Sequence, residues 1–255
     1  MSAPARDPTY DATRRAWDRI WQDSDAAREH ETGQYARARA NRARYFPLLP
    51  DDGVVVEAGC GVGTELLALE MLGRRAHGID YAPSALGKLR QINRRTSVAG
   101  ADVHRLPFRP GSLAAYLSFG VLEHFRFGPV PALVEAARAL RPGGLLVLTV
   151  PAPSLVFRAV RLKRAVFGGR EPEYFETAYN IRQLRDAAAS AGFEDIRGHP
   201  IDHNFTLWGC GKPFRGAGLY ETSLLADMLG RIAAIVAPHA MAFATLVTGR
   251  KGAGG

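Results

Sequence analysis

The chain has 255 residues, with 33 Lys and Arg against 25 Asp and Glu for a formal net charge of +8, and 47% of its residues are hydrophobic. This describes a globular protein long enough to bury a core without staples. Two cysteines, Cys60 and Cys210, are too few for a disulfide scaffold. The most apolar stretch, residues 232–247, is interrupted by Pro238-His239 and falls short of the roughly 20 residues that a membrane-spanning helix needs. Residues 1–8 lack the apolar run of a secretory signal, so the expected location is cytoplasmic.

Residues 8–46 are rich in Ala, Arg, Glu and Gln, interspersed with Trp17, Ile20, Trp21, Tyr35 and Tyr45, which predicts helix. Pro47 and Pro50 close this segment, and residues 1–50 are read as an N-terminal helical cap on a main domain at 51–255. After them, short apolar runs at 54–57, 76–80, 96–100, 113–118 and 145–150 alternate with helical patterns at about 63–73, 83–94 and 129–140. That alternation predicts βα units and an open, doubly wound, mostly parallel sheet. Pro83 suits a first helical position, and Pro142-Gly143-Gly144 is expected to stop a helix before the fifth strand. Beyond Pro153 the pattern predicts a basic helix at 154–167, a helix at about 177–191 and a strand at 193–199. An irregular stretch, a helix near 219–237 and a last strand at 241–247 follow.

Three segments carry chemistry. The first, Val54-Val55-Val56-Glu57-Ala58-Gly59-Cys60-Gly61-Val62-Gly63-Thr64, is a buried strand running into three glycines spaced two apart and then into a helix. Glycines let the backbone approach a ligand at the carboxyl end of a strand. A dinucleotide fingerprint would need a glycine where Thr64 stands, so that pattern fails. The second is Gly78-Ile79-Asp80-Tyr81, in which Asp80 ends a strand 21 residues after Gly59. A carboxylate there suits the two hydroxyls of a ribose, and taken alone it equally suits the cap of the helix at Pro83. The third comprises Gly100-Ala101-Asp102-Val103-His104-Arg105-Leu106-Pro107-Phe108, Ser118-Phe119-Gly120-Val121-Leu122-Glu123-His124-Phe125 and Leu140-Arg141-Pro142-Gly143-Gly144-Leu145-Leu146-Val147.

In this order and spacing the segments resemble the class I S-adenosylmethionine-dependent methyltransferases over about residues 52–151, in particular the ubiquinone-type and natural-product small-molecule enzymes. The resemblance implies an α/β, Rossmann-like, seven-stranded mixed sheet, mostly parallel, with an antiparallel last strand in a hairpin at the edge. It implies S-adenosylmethionine as cofactor and S-adenosylhomocysteine as product. Glu57 stands where the family has an acid near the methionine amino group, with Gly59, Cys60, Gly61 and Gly63 as the loop under the cofactor. Asp80 matches the ribose-binding acid with Tyr81 beside the adenine, Asp102 and Val103 match the adenine contacts, and Phe119 and Gly120 match positions at the methionine end. One departure is Ser112-Leu113-Ala114, where the family usually has Ser-Phe-Asp.

Such an enzyme aligns an acceptor lone pair with the methyl carbon and excludes water, and a base is required only for acceptors of high pKa. His124 is the first candidate base, with a structural histidine as the alternative. Glu123 is an acceptor-site carboxylate or a helix cap. Residues 202–211 read as part of a lid-like insertion at about 200–237, and His203 as a candidate lining the acceptor pocket. Zinc at His199, His203 and Cys210 lacks a C-x-x-C pair, so no metal is expected. Tyr174, Phe175 and Tyr179 lie where related enzymes place acceptor-side aromatics.

From Arg138 to Arg170 there are seven basic residues and no acidic one. A solvated basic helix is the favoured reading, an acidic acceptor next, and contact with an anionic membrane third. Nucleic acid is disfavoured, because aromatic residues are not interleaved with the basic run as stacking platforms. The expected enzyme methylates an O or N atom of a small organic acceptor, acidic or aromatic, in secondary or specialised biosynthesis, as a monomer or homodimer. The rivals are methylation of an isoprenoid quinone or lipid precursor at a membrane surface, and a non-catalytic cofactor-binding or scaffolding module of the same fold.

Overall fold

Apolar runs flanked by amphipathic helices bury both their faces only as a sheet covered on each side. In the computed structural model, which describes residues 8–167 and 173–253, five such runs form parallel strands. They are β1 (Val54–Ala58), β2 (Arg75–Asp80), β3 (Val98–Gly100), β4 (Leu113–Phe119) and β5 (Leu140–Pro151). β6 (Phe193–Ile201) and β7 (Ala244–Lys251) complete a seven-stranded sheet in the order β3-β2-β1-β4-β5-β7-β6. β7 is antiparallel to both of its neighbours. This is the Rossmann-like mixed sheet that the motifs imply. Residues 1–7, Arg170 of the basic run and the last two glycines lie outside the described residues.

Successive side chains of β5 point to opposite faces, Leu145 and Val147 to one apolar layer and Leu146 and Leu148 to the other. The first layer is completed by Leu66 and Leu69 of α4 (Thr64–Met71) and Leu86 and Leu89 of α5 (Pro83–Ile92). The second is completed by Leu133 and Ala136 of α6 (Val130–Ala139) and by Leu184 and Ala188 of α8 (Ile181–Ser190). Between β5 and α8 runs α7 (Leu155–Phe167), the basic helix.

The segment before β1 is helical, as expected: α1 (Pro8–Asp23), α2 (Ala26–Thr32) and α3 (Ala36–Tyr45). Polar contacts at Asp18 and Glu65 are among those that fix it to the sheet domain. The Asp18 carboxylate accepts the Ser84 backbone N–H at 3.0 Å, from the first turn of α5. Glu65 of α4 accepts two N–H groups of Arg42 at 2.8 Å and the Tyr45 hydroxyl at 2.6 Å.

Several boundaries correct the sequence reading. α6 ends at Ala139 and the chain enters β5 at once, so Pro142-Gly143-Gly144 lies within the strand. α8 starts at Ile181, not 177, because Asn180 and Gln183 form a reciprocal capping box. β7 starts at Ala244 and continues to Lys251, where it still pairs with Phe193 of β6. The stretch after β6 read as irregular holds α9 (His203–Trp208), and the helix expected near 219–237 is α10 (Leu224–Val236). The two helices meet where Gly230 leaves space, since a Cβ there would lie 2.6 Å from the Asn204 backbone nitrogen. Asn204 Nδ2 also donates to Asp227 Oδ1 at 2.7 Å.

Gly230→Val is therefore expected to lower stability by about 1–3 kcal/mol through overpacking. Gly87→Ala, in α5 with nothing within 4 Å of the new methyl group, is expected to raise it by about 0.5–1 kcal/mol. Urea unfolding midpoints of the two variants check both signs.

Candidate active site

Strand order reverses between β1, which leads to β2, and β4, which leads to β5, and open α/β sheets bind ligands at the carboxyl ends beside such a point. There the loop after β1 turns through Gly59, Gly61 and Gly63, all with positive φ. The Gly59 and Cys60 N–H groups donate to the Ile79 carbonyl of β2 at 2.8 and 3.0 Å. Asp80, only 8% exposed, closes the arrangement: one carboxylate oxygen accepts from the Gly61 N–H and the other from the Ala82 N–H, both at 2.8 Å. Burial pushes the Asp80 carboxyl up, and these backbone bonds oppose the shift. Gly61, at φ +51°, has the Trp21 ring of α1 2.6 Å from where a Cβ would stand, so only glycine lets α1 lie on the loop.

A cavity of about 520 Å³ opens here. From the sheet domain it is lined by Gly59, Asp80, Tyr81, Val103, Phe119, Gly120 and His124, seven of the candidates read from the sequence. Trp17, Ile20 and Trp21 of α1 cover it from the cap. Tyr35 of the same segment lies off this cavity, its hydroxyl against Gly218.

The remaining candidates lie off the cavity wall. Glu57 is buried in β1 with its Oε2 unpartnered, and burial holds its carboxyl well above the usual range. The Cys60 thiol packs toward Gly78 in the core, where burial pushes it up. Gly63 shapes the loop against Leu89. Asp102, matched to the adenine amino group, gives its oxygens to protein donors: the Tyr10 hydroxyl at 2.5 Å, and the His104 backbone N–H and Nδ1 at 2.8 Å. Burial would raise its pKa, but these bonds outweigh it and hold the Asp102 carboxyl at about 2. His203 is a correction, because it lines neither of the two chambers at the site. It is buried and its Nε2 bonds the Pro238 carbonyl at 2.8 Å, tying α9 to the turn after α10.

Glu123 and His124 sit in a 3-10 turn after β4. His124 Nδ1 lies 2.7 Å from the Phe175 carbonyl, which can only accept, so Nδ1 carries the proton and Nε2 keeps its lone pair. Burial holds the His124 pKa below its ordinary value, so the ring is neutral at pH 7. Glu123 is enclosed rather than pocket-lining: its Oε1 lies 3.9 Å from His124 Nε2, its Oε2 has no partner, and burial raises its carboxyl to about 8.

A second, larger chamber of about 1430 Å³ adjoins the first, and Tyr174 and Tyr220 belong to the walls of both. Phe175 lines it as expected, whereas Tyr179 packs into the core and donates its backbone N–H to Pro151. Phe205 and Trp208 of the predicted insertion lie in its wall. Arg215 and Tyr220 of the same insertion line it too, as do Arg126 and Phe243, which no sequence signal marked, since isolated arginines and aromatics in loops are ordinary. No group of three potential metal ligands occurs among the described residues.

The fold and the site define a class: a nucleotide-binding sheet with an acid at the end of β2 and a glycine loop after β1. Residues 56–148 match the family model described as a methyltransferase domain. A "Probable S-adenosylmethionine-dependent methyltransferase" of Mycolicibacterium smegmatis is 27% identical over 171 residues, 66% of this chain and 57% of that protein. The mouse tRNA (carboxymethyluridine(34)-5-O)-methyltransferase ALKBH8 is 32% identical over 111 residues, 42% of this chain and 16% of that protein. The crystal structure of a SAM-dependent methyltransferase from Thermotoga maritima superposes with a TM-score of 0.63 at 17% identity, covering 94% of this chain and 99% of that one. The chain spans about half the length of the first curated relatives it matches. It carries a class I S-adenosylmethionine-dependent methyltransferase domain.

The residues present fit that cofactor. Each Asp80 oxygen spends one acceptor site on a backbone N–H and retains capacity for a ribose hydroxyl.

Glu123 yields a pH test. Between its ordinary value of 4.5 and about 8, the folded chain holds a proton that the unfolded chain has released, so its contribution to stability is lost as pH rises through that window. Glu123→Gln is expected to match wild type near pH 4.5 and to exceed it by a few kcal/mol at pH 8, at about 1.4 kcal/mol per unit. Denaturant midpoints of both proteins across that range check it.

Proposed function

We propose that this protein moves a methyl group from S-adenosylmethionine to an O or N atom of a small organic acceptor in a biosynthetic reaction, releasing S-adenosylhomocysteine. The observation that carries this reading is the pair of adjoining chambers sharing Tyr174 and Tyr220, one walled by Asp80 and the glycine loop. Bound S-adenosylmethionine supplies an electrophilic methyl carbon on a sulfonium, so the protein's task is alignment and exclusion of water.

Asp80 holds the ribose, Tyr81 and Val103 flank the adenine, Gly59 with Cys60, Gly61 and Gly63 forms the floor, and Phe119 and Gly120 border the methionine end. Glu57, buried in β1 off the cavity wall, supports the methionine end from behind the loop without touching the amino group. Asp102 acts at second hand, holding Tyr10 and His104 at that end. His124 Nε2 takes the acceptor's proton where the acceptor needs a base, with its ring held by the Phe175 carbonyl. Glu123 supports the turn that carries His124. Residues 1–50 act as the cap of a domain at 51–255, and the insertion at about 200–237 covers the acceptor.

Calorimetry with S-adenosylhomocysteine tests the cofactor half. Wild type is expected to bind in the micromolar range, and Asp80→Ala to weaken binding by about tenfold to a hundredfold, the worth of hydrogen bonds to a charged acceptor. A wild-type chain that does not bind, or an Asp80→Ala variant that binds equally well, overturns the reading.

One observation favours a second reading, with the acceptor drawn from a membrane. Leu224, Met228, Ile232 and Ile235 stand exposed along α10, and α7 exposes Leu155 and Leu162 beside Arg158 and Arg161. Co-sedimentation with phosphatidylglycerol vesicles, lost in Met228→Glu/Ile235→Glu, would support it, and failure of the wild type to sediment would exclude it.

A further inference from the structure

We infer that the second chamber selects an amphiphilic anion, a phosphate or carboxylate head joined to an extended apolar body. This rests on the reading of that chamber as the acceptor site. Its volume of about 1430 Å³ exceeds the roughly 300–1,000 Å³ of most small-ligand pockets, so a compact acceptor would leave it largely filled with water.

Three guanidinium groups line it: Arg126, Arg161 of α7, and Arg215. Each lies over an aromatic ring of the same wall, Arg126 over Phe175 at 5.1 Å, Arg161 over Phe157 at 5.9 Å and Arg215 over Trp208 at 4.3 Å. Stacking occupies the face of a guanidinium and leaves its N–H edge available to a planar or tetrahedral oxyanion. No ion pair joins these three arginines to a carboxylate among the described residues. Arg215 uses one of its five donors, Nε, on the Trp208 carbonyl at 3.1 Å.

The wall also holds two acids, Glu173 and Glu176. Glu173 is ion-paired with Arg19, and neither acid is free. Cationic groups therefore outnumber carboxylates, and the carboxylates are already engaged. An acceptor carrying a free cation would meet three guanidiniums without a carboxylate to offset them. The apolar body has its own surface: Phe205 stacks on Trp208 at 5.1 Å and meets Phe243 edge-on at 4.7 Å.

The test uses the full chain saturated with S-adenosylhomocysteine, titrated by calorimetry with n-octyl phosphate, octanoate, octanol, octyltrimethylammonium and inorganic phosphate. Either octyl anion is expected to bind at least tenfold more tightly than octanol, inorganic phosphate or the octyl cation. Arg126→Gln and Arg215→Gln are each expected to weaken the preferred anion by about tenfold, leaving the affinity for S-adenosylhomocysteine within twofold. Arg161→Gln is expected to do the same from a different helix, so a local defect near one arginine cannot produce the whole pattern. Equal affinity for octanol or the octyl cation, or undiminished anion binding in all three variants, overturns the inference while the nucleoside still binds. Loss of S-adenosylhomocysteine binding in the wild type would instead overturn the methyltransferase reading.

Discussion

The site depends on one buried carboxylate. Asp80 receives a backbone N–H from the loop after β1 on one oxygen and one from the start of α5 on the other, both at 2.8 Å. It thereby ties the loop after β1 to the entry of α5, above the ends of two strands already paired through Ala58 and Ile79. A carboxylate sealed in apolar surroundings would be costly, and backbone donors make the position tenable without another charged side chain. Those donors leave acceptor capacity pointing into the cavity, so the group that holds the loop is also placed to hold a sugar. One acceptor site on each oxygen holds the loop, and the proposed role falls to those that remain.

The helical cap is joined to that clamp through α5. Asp18 of α1 caps the same helix whose entry Asp80 orders, and Trp21 rests on Gly61, whose N–H Asp80 accepts. Tyr10 extends the contact to Asp102 at 2.5 Å and stacks on Phe125. α1 therefore touches the groove at three points, each on a residue already fixed by the sheet. Trp17, Ile20 and Trp21 are thereby held in the cavity wall.

The legibility of the sequence followed the range of the interactions. Strand β1, its glycine loop and Asp80 could be read because backbone conformation and a strand terminus are local properties, written within about ten residues. The departure at Ser112-Leu113-Ala114 proved equally local: the Ser112 hydroxyl bonds the Arg109 carbonyl and closes the turn without the usual acid. What escaped was decided by distant partners. Asp102 gives an oxygen to Tyr10, 92 positions away, and His203 turns to a carbonyl 35 positions on. The aromatic wall of the larger chamber is assembled from the segment before α8, from α9, from the turn before α10 and from the approach to β7. No window of sequence contains that juxtaposition.

Tyr220 shows how the two chambers are kept distinct yet connected. It has φ of +56°, in a region that a bulky side chain occupies at a cost of about 1–2 kcal/mol. Surrounding contacts hold it there: the Gly216 N–H bonds the Glu221 carbonyl across the turn, and the Tyr220 ring meets Trp208 at 5.7 Å and Phe205 at 6.2 Å. The ring is thus fixed by the α9 aromatics in the wall of the larger chamber while it also lines the smaller one. Opposite it stands Tyr174, edge-on to His124 at 5.2 Å. On the proposed reading, the methyl group passes between these two tyrosines, beside His124 Nε2. Moving either ring would alter both chambers together, which explains why the turn before α10 tolerates a strained tyrosine where glycine would sit without cost.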